Sequence, residues 1–302
     1  MLDLIYRFDP NNRDETTSPL TPETARKELE DGNRQFAIDL DPTNANQSRS
    51  RIIHIGADRL GLPLPDGSPP TQRPFAAVLG CSDARVPIEM IFGQACNALF
   101  VVRVAGNVLG AECLGSLDYA LANLGDDLKL IVVLGHRGCG AVTAAVDAFI
   151  DPARYLRTAS THPLRAVVDR IFVAARAGHK ALEDVYSQRV EERPGYRAAL
   201  IETTVALNAA ITAATVRQEF RDVLAARCDV VYGVYDLTTR RVKLPLDDDG
   251  QSVKLSSPPA TADAFDLLGV RVARGPIVRD LLEGDAPPPP TSSVGPIPAP
   301  AN

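Results

Sequence analysis

The stretch LKLIVVLGHRGCGA (128–141) decides how this chain folds. It opens as a continuous apolar run with no alternation, the pattern of a strand covered on both faces. It then breaks into a glycine-rich turn that carries a histidine and a cysteine. Two more runs of the same kind precede it, FAAVLG (75–80) and ALFVVRVAG (98–106). A helical pattern, GAECLGSLDYALANLG (110–125), lies between the second run and the third. Strand–helix–strand alternation predicts an open α/β sheet. DVVYGVYDL (229–237) reads as a fourth parallel strand. RRVKLPL (240–246) follows a tight turn at Thr238–Thr239 and is expected to return antiparallel. The predicted fold is an open, mainly parallel central sheet of four parallel strands plus an antiparallel edge strand, flanked by helices.

Outward from this core, the spacing predicts an N-terminal helical arm. Thr21 is its N-cap, Pro22 stands at the first helical position and Glu23 in the first turn. Leu29, Phe36 and Leu40 share a face of it. Residues 1–20 are polar and expected to be flexible. Residues 41–73 read as a long connection with a short helical piece near Ser48–Ile55. A long helical stretch from about Pro163 to Arg227 should pack around the sheet. The α/β domain is thus expected over 21–250. A C-terminal extension follows over 251–284, with one short helix near Val278–Leu282. The tail DAPPPPTSSVGPIPAPAN (285–302) cannot form a core and is expected to be disordered.

The chain has 302 residues, 45% of them hydrophobic, enough to bury a sizeable core. A formal net charge of −6 argues against nucleic-acid or acidic-membrane partners. The first residues hold no apolar run of signal-peptide length, and no stretch reads as the ~20 apolar residues of a membrane span. A cytoplasmic protein is expected. Five cysteines, an odd number, argue against a disulfide framework. Cys96, Cys113 and Cys228 read as small buried hydrophobes.

The chemistry concentrates at two strand ends. Cys81-Ser82-Asp83-Ala84-Arg85 follows the first run, and His136-Arg137-Gly138-Cys139-Gly140 follows the third. In open parallel sheets, ligands bind beyond the carboxyl ends of strands where the strand order reverses. If the first and third strands are neighbours there, the two turns face each other. Two cysteines and one histidine suit zinc, and three protein ligands leave one position open for catalysis. Helix starts after each turn would favour thiolate. No G-x-G-x-x-G or P-loop follows the first strand, which disfavours nucleotide binding.

The ordered pair C-S-D-A-R and G-H-R-G-C-G-A resembles the zinc signature of the β-class carbonic anhydrases. DGNRQF (31–36), FVVRVAGNV (100–108) and SLDYAL (116–121) are similar to further motifs of that family, over roughly residues 21–246. The resemblance implies one zinc ion per chain, held by Cys81, His136 and Cys139, with Asp83 and Arg85 as a catalytic dyad. It implies zinc-dependent reversible hydration of carbon dioxide to bicarbonate and a proton by zinc-bound hydroxide. Gln72, Phe100, Tyr119 and Gly140 match substrate-binding positions. A homodimer or higher even homo-oligomer is implied as well. Two other readings remain: a carbonyl sulfide or carbon disulfide hydrolase on the same scaffold, and a non-catalytic zinc-binding protein. Val104 follows Arg103 where many members carry asparagine.

Overall fold

The computed structural model describes residues 2–9, 19–41, 49–56, 67–68, 71–124, 126–158, 162–224, 227–246 and 252–284. In chain order its elements begin with β1 (Leu2–Asp9), α1 (Pro22–Asp39), β2 (Arg49–Gly56), β3 (Ala76–Gly80), α2 (Ile88–Ile91) and β4 (Leu99–Arg103). Next come a 3-10 turn at Ala105–Asn107, α3 (Ala111–Asn123), β5 (Leu130–His136), α4 (Gly140–Ile150), α5 (Pro152–Thr158) and α6 (His162–Tyr186). A second 3-10 turn (Val190–Glu192), α7 (Tyr196–Glu219), α8 (Arg221–Leu224), β6 (Asp229–Tyr235), β7 (Val242–Lys243), α9 (Ala262–Arg274) and α10 (Pro276–Glu283) complete it.

The central sheet has the order β4-β3-β5-β6-β7, with the first four strands parallel and β7 antiparallel at the edge. This is the predicted fold. Every residue of β3 and β5 is buried, which is why their sequences show no alternation. Alternation reappears once the two faces are separated. Ala77, Leu79, Ile131, Val133, Val230 and Tyr232 face one core cluster, with α3, α4, α6 and α7. Ala76, Val78, Leu130, Val132, Leu134 and Val231 face the other, beneath α1 and α2.

Helix α1 starts as its sequence predicts. The Thr21 hydroxyl accepts from the Thr24 N–H, and the Thr24 hydroxyl accepts from the Thr21 N–H. Leu29 and Phe36 are buried against the sheet, and Leu40 packs beside them. Burying side chains of this size contributes about 1.5–3 kcal/mol each. Asn33, on the same helix, is fully buried. Its amide nitrogen donates to the carbonyls of Ile91 and Arg240, both at 3.0 Å, and its oxygen accepts from the Val242 N–H at 2.7 Å. One side chain therefore ties the helical arm to α2 and to the β6–β7 turn.

Several expectations change. Part of the segment expected to be flexible, residues 1–20, forms β1, which pairs in parallel with β2 in a separate two-stranded sheet. LDLIYRFD alternates Leu2, Leu4, Tyr6 and Phe8 with Asp3, Arg7 and Asp9, a strand period hidden by its overall polarity. The helical piece expected near Ser48–Ile55 is instead β2, where Ile52, Ile53 and Ile55 favour extended backbone. The C-terminal extension holds two helices rather than one. Thr261 caps α9 through the Ala264 N–H, and α10 begins at Pro276. The tail 285–302 lies outside the described residues.

Helix α7 is long and apolar enough to cross a membrane by length and composition, unlike anything the sequence reading singled out. In this fold it is a core helix: 83% of its most apolar window is buried, and it packs against β5, β6, α6 and α10. A helix apolar on all sides is what such a position requires.

Replacing Asn33 with alanine strands a buried carbonyl and a buried N–H at once. The variant should lose about 2–3 kcal/mol of stability, read as a lower urea midpoint.

Candidate metal centre

The parallel register of β3 and β5 pairs Gly80 with Leu134. The residues just past these strand ends therefore lie side by side, at the point where the chain leaves β3 for β4 on one side and later returns to β5 on the other. Cys81 and Cys139 place their Sγ atoms 3.9 Å apart. With His136 they form a buried cluster whose ligating atoms all lie within 4.8 Å of one another. A tetrahedral zinc with Zn–S bonds of about 2.3 Å separates two sulfurs by about 3.8 Å. The donor set fits such an ion.

The histidine is presented in one form. Its Nδ1 lies 3.0 Å from the Arg137 carbonyl oxygen. A carbonyl can only accept, so the Nδ1 carries the proton and the Nε2 keeps its lone pair. That Nε2 is buried and has no hydrogen-bond partner. An unpaired buried acceptor is costly unless something occupies it, and a metal ion held with the two sulfurs would do so.

The two thiols share one proton. The hydrogen bond from Cys139 holds Cys81 well below the usual thiol range, while the same hydrogen bond and burial push Cys139 up. The backbone N–H of Gly106 donates to the Cys81 sulfur at 3.3 Å and favours its thiolate. Gly106 has φ +67°, and a Cβ there would meet Ile171 and Ala141 at 2.9 and 3.0 Å. Only a glycine brings its N–H this close. Cys139 is the N-cap of α4, as expected. Cys81 is followed by an irregular turn and the four-residue α2, so no helix start supports it. The Gly106 N–H takes that role, and sequence reasoning missed it. The small-residue run Val104-Ala105-Gly106-Asn107 after a strand was the available signal.

Asp83 stands beside the cluster, with its Oδ2 3.8 Å from His136 Nε2. Arg85 holds its carboxylate in a fork: Nε donates to Oδ1 at 3.0 Å and Nη2 to Oδ2 at 2.7 Å, and the Arg85 backbone N–H adds 2.9 Å to Oδ1. These bonds lower the Asp83 pKa to about 2. Arg103 clamps the same turn, donating to the carbonyls of Cys81 and Asp83 at 3.0 and 2.6 Å.

The other predicted site residues are not all gathered here. Gly140 is the first residue of α4, next to Cys139. Gln72 is exposed and precedes β3, so the whole strand separates it from Cys81. Five residues of strand span about 16 Å. Phe100, on β4, pairs with Ala77 of β3 three residues short of the end of its own strand, and packs against the larger core. Tyr119 is 52% exposed on α3. Of the remaining cysteines, Cys113 and Cys228 are buried as expected, but Cys96 is exposed.

The sequence pattern of the carbonic anhydrase family matches residues 76–242, from the start of β3 to the start of β7. Carbonic anhydrase 2 of Mycobacterium tuberculosis is 36% identical over 174 residues, covering 57% of this chain and 74% of that protein. The chain belongs to the β-class carbonic anhydrase family. A carbonic anhydrase of Mycolicibacterium smegmatis is 34% identical over 57% of this chain and 75% of its own length. Among solved structures, a tetrameric β-carbonic anhydrase of Sordaria macrospora is 21% identical, with a TM-score of 0.46 over 57% of this chain and 81% of that one. The family match contains the metal cluster, Asp83 and Arg85. It leaves out α1, α9 and α10, a narrower span than the motifs implied.

Asp83 has an ordinary pKa of 3.8, lowered in the fold. A carboxyl lowered on folding stabilises the protein above its unfolded pKa and loses that contribution as pH falls through the folded one. The contribution therefore disappears between about pH 4 and pH 2. Arg85→Gln should flatten the acid limb of a stability–pH curve in that window and return the Asp83 carboxyl towards 3.8, followed by NMR titration.

Proposed function

We propose that this protein catalyses the reversible hydration of carbon dioxide to bicarbonate and a proton, with one zinc ion held by Cys81, His136 and Cys139. The observation that carries this reading is a buried cluster of two thiols and an imidazole beside a carboxylate kept ionised by Arg85. When bound, zinc supplies the Lewis acidity that makes a hydroxide nucleophile available near neutral pH.

The residues then divide the work. Asp83 stays ionised down to about pH 2, so it can only accept hydrogen bonds in the working range. It takes the O–H of the attacking water and turns the oxygen's free lone pair towards the substrate carbon. Arg85 fixes the plane of that carboxylate, as a bidentate guanidinium does. Gly140 has a backbone N–H in the first turn of α4, where no residue of the same helix can accept it. It is placed to donate to an oxygen of bicarbonate. Because Asp83 does not titrate near neutrality, a rise of activity towards alkaline pH would report the nucleophile instead.

Gln72 lies across β3 from its own cluster, so a substrate-binding role for it requires a second copy of the chain. A homo-oligomer would supply one, and among the described residues no strand pairs with the outer edge of β4. Light scattering that finds only monomer at micromolar concentration would remove Gln72 from the site.

Stopped-flow carbon dioxide hydration, with zinc content measured on the same sample, tests the main reading. Cys81→Ser and Cys139→Ser should lose both metal and activity. Asp83→Asn should keep its zinc and lose at least about a hundredfold in rate. Full activity in that variant would refute the role given to Asp83, and zinc-loaded parent protein with no hydration at any pH would refute the reaction.

A further inference from the structure

One peptide group in the metal-binding turn is held at both ends. The Arg137 carbonyl accepts from His136 Nδ1 at 3.0 Å. The N–H on the other side of the same peptide bond, that of Gly138, donates to Glu202 Oε1 at 3.2 Å. Glu202 lies on α7 and is only 2% exposed. Its second oxygen accepts from Arg137 Nε at 2.7 Å, and Arg137 Nη1 reaches Asp236 Oδ2 at 3.4 Å. Gly138, with φ +63°, gives the turn the left-handed conformation this arrangement needs.

We infer that Glu202 is a positioning residue for the metal site, fixing the tautomer and direction of the His136 ring through the Arg137–Gly138 peptide. Rotating that peptide would turn the carbonyl away from Nδ1 and release the ring. Glu202 opposes the rotation from the N–H side. It is locked in turn by Arg137, which Asp236 steadies from the end of β6. Groups that orient a ligand histidine are commonly worth 10–100-fold in metal affinity, as an order of magnitude. This network needs a carboxylate. Both partners of Glu202 are N–H donors, and a glutamine offers one oxygen and one NH₂, so one donor would face another.

This inference rests on the zinc reading of the cluster, and the test separates the two. Zinc affinity of the full chain is measured by competition with a chromogenic chelator, and cobalt(II) spectra report ligand geometry. Glu202→Gln should bind zinc about 10–100-fold more weakly than the parent, with displaced cobalt d–d bands. Thr261→Ala, which removes the cap of α9 and touches none of these groups, serves as the destabilised control and should match the parent in both. The inference is overturned if Glu202→Gln retains parental affinity and spectrum, or if Thr261→Ala weakens binding equally. Should Glu202→Gln not fold, Asp236→Asn loosens the same clamp from outside. It must then shift the cobalt bands, and an unchanged spectrum overturns the inference. A parent protein that binds no zinc defeats the metal reading itself.

Discussion

The parallel pairing of β3 with β5 is the constraint on which the rest depends. Its register sets Gly80 against Leu134, so two turns 58 residues apart in sequence, measured from Cys81 to Cys139, meet at one end of the sheet. Parallel pairing demands a crossover, and here the crossover contains β4 and α3. It also demands cover on both faces, which the two core clusters supply. A slip of one residue in this register would exchange the two faces of a strand and bury the wrong set of side chains. The geometry of the cysteines is therefore protected by the whole hydrophobic core.

Around the metal cluster, buried charge is matched by specific donors. Cys81 receives the Gly106 N–H, Asp83 receives the Arg85 fork, and Glu202 receives Arg137 and Gly138. Burial alone pushes the Glu202 carboxyl up, and Arg137 and the Gly138 N–H oppose it. Arg85 holds Asp83 from within the same turn, whereas Arg137 reaches Glu202 on α7 and Asp236 after β6. Asn208 adds a further tie, donating from α7 to the Gly106 carbonyl at 2.8 Å. The long buried helix α7 thus carries Glu202 and Asn208 to the back of the site. Its length and composition suit a core position for that reason.

The strands, the first helix and its cap were legible because each is signalled by neighbours in sequence. Continuous apolar runs marked β3, β5 and β6, and Thr21-Pro22 marked the start of α1. The candidate site was legible through two short motifs of rare residue types. β1 and β2 were obscured because a two-stranded sheet outside the core lets polar residues dominate the composition. α9 was missed because its apolar stripe is interrupted by charges that face outward. Glu202 and Asp236 carried no local signal of their roles, since each acts on a group at least 64 residues away in sequence.

By itself the sequence determined the parallel sheet, the order of its elements and the kinds of donor atoms at two strand ends. Those follow from hydrophobic periodicity and from the chemistry of single residue types, both of which are local. The tertiary structure alone decided that the two sulfurs lie 3.9 Å apart, that His136 keeps its Nε2 free, and that Gln72 stands at the far end of β3. Distances and tautomers depend on which strands become neighbours and which buried groups must find partners. Those are properties of the packed chain as a whole, and no short stretch of it contains them.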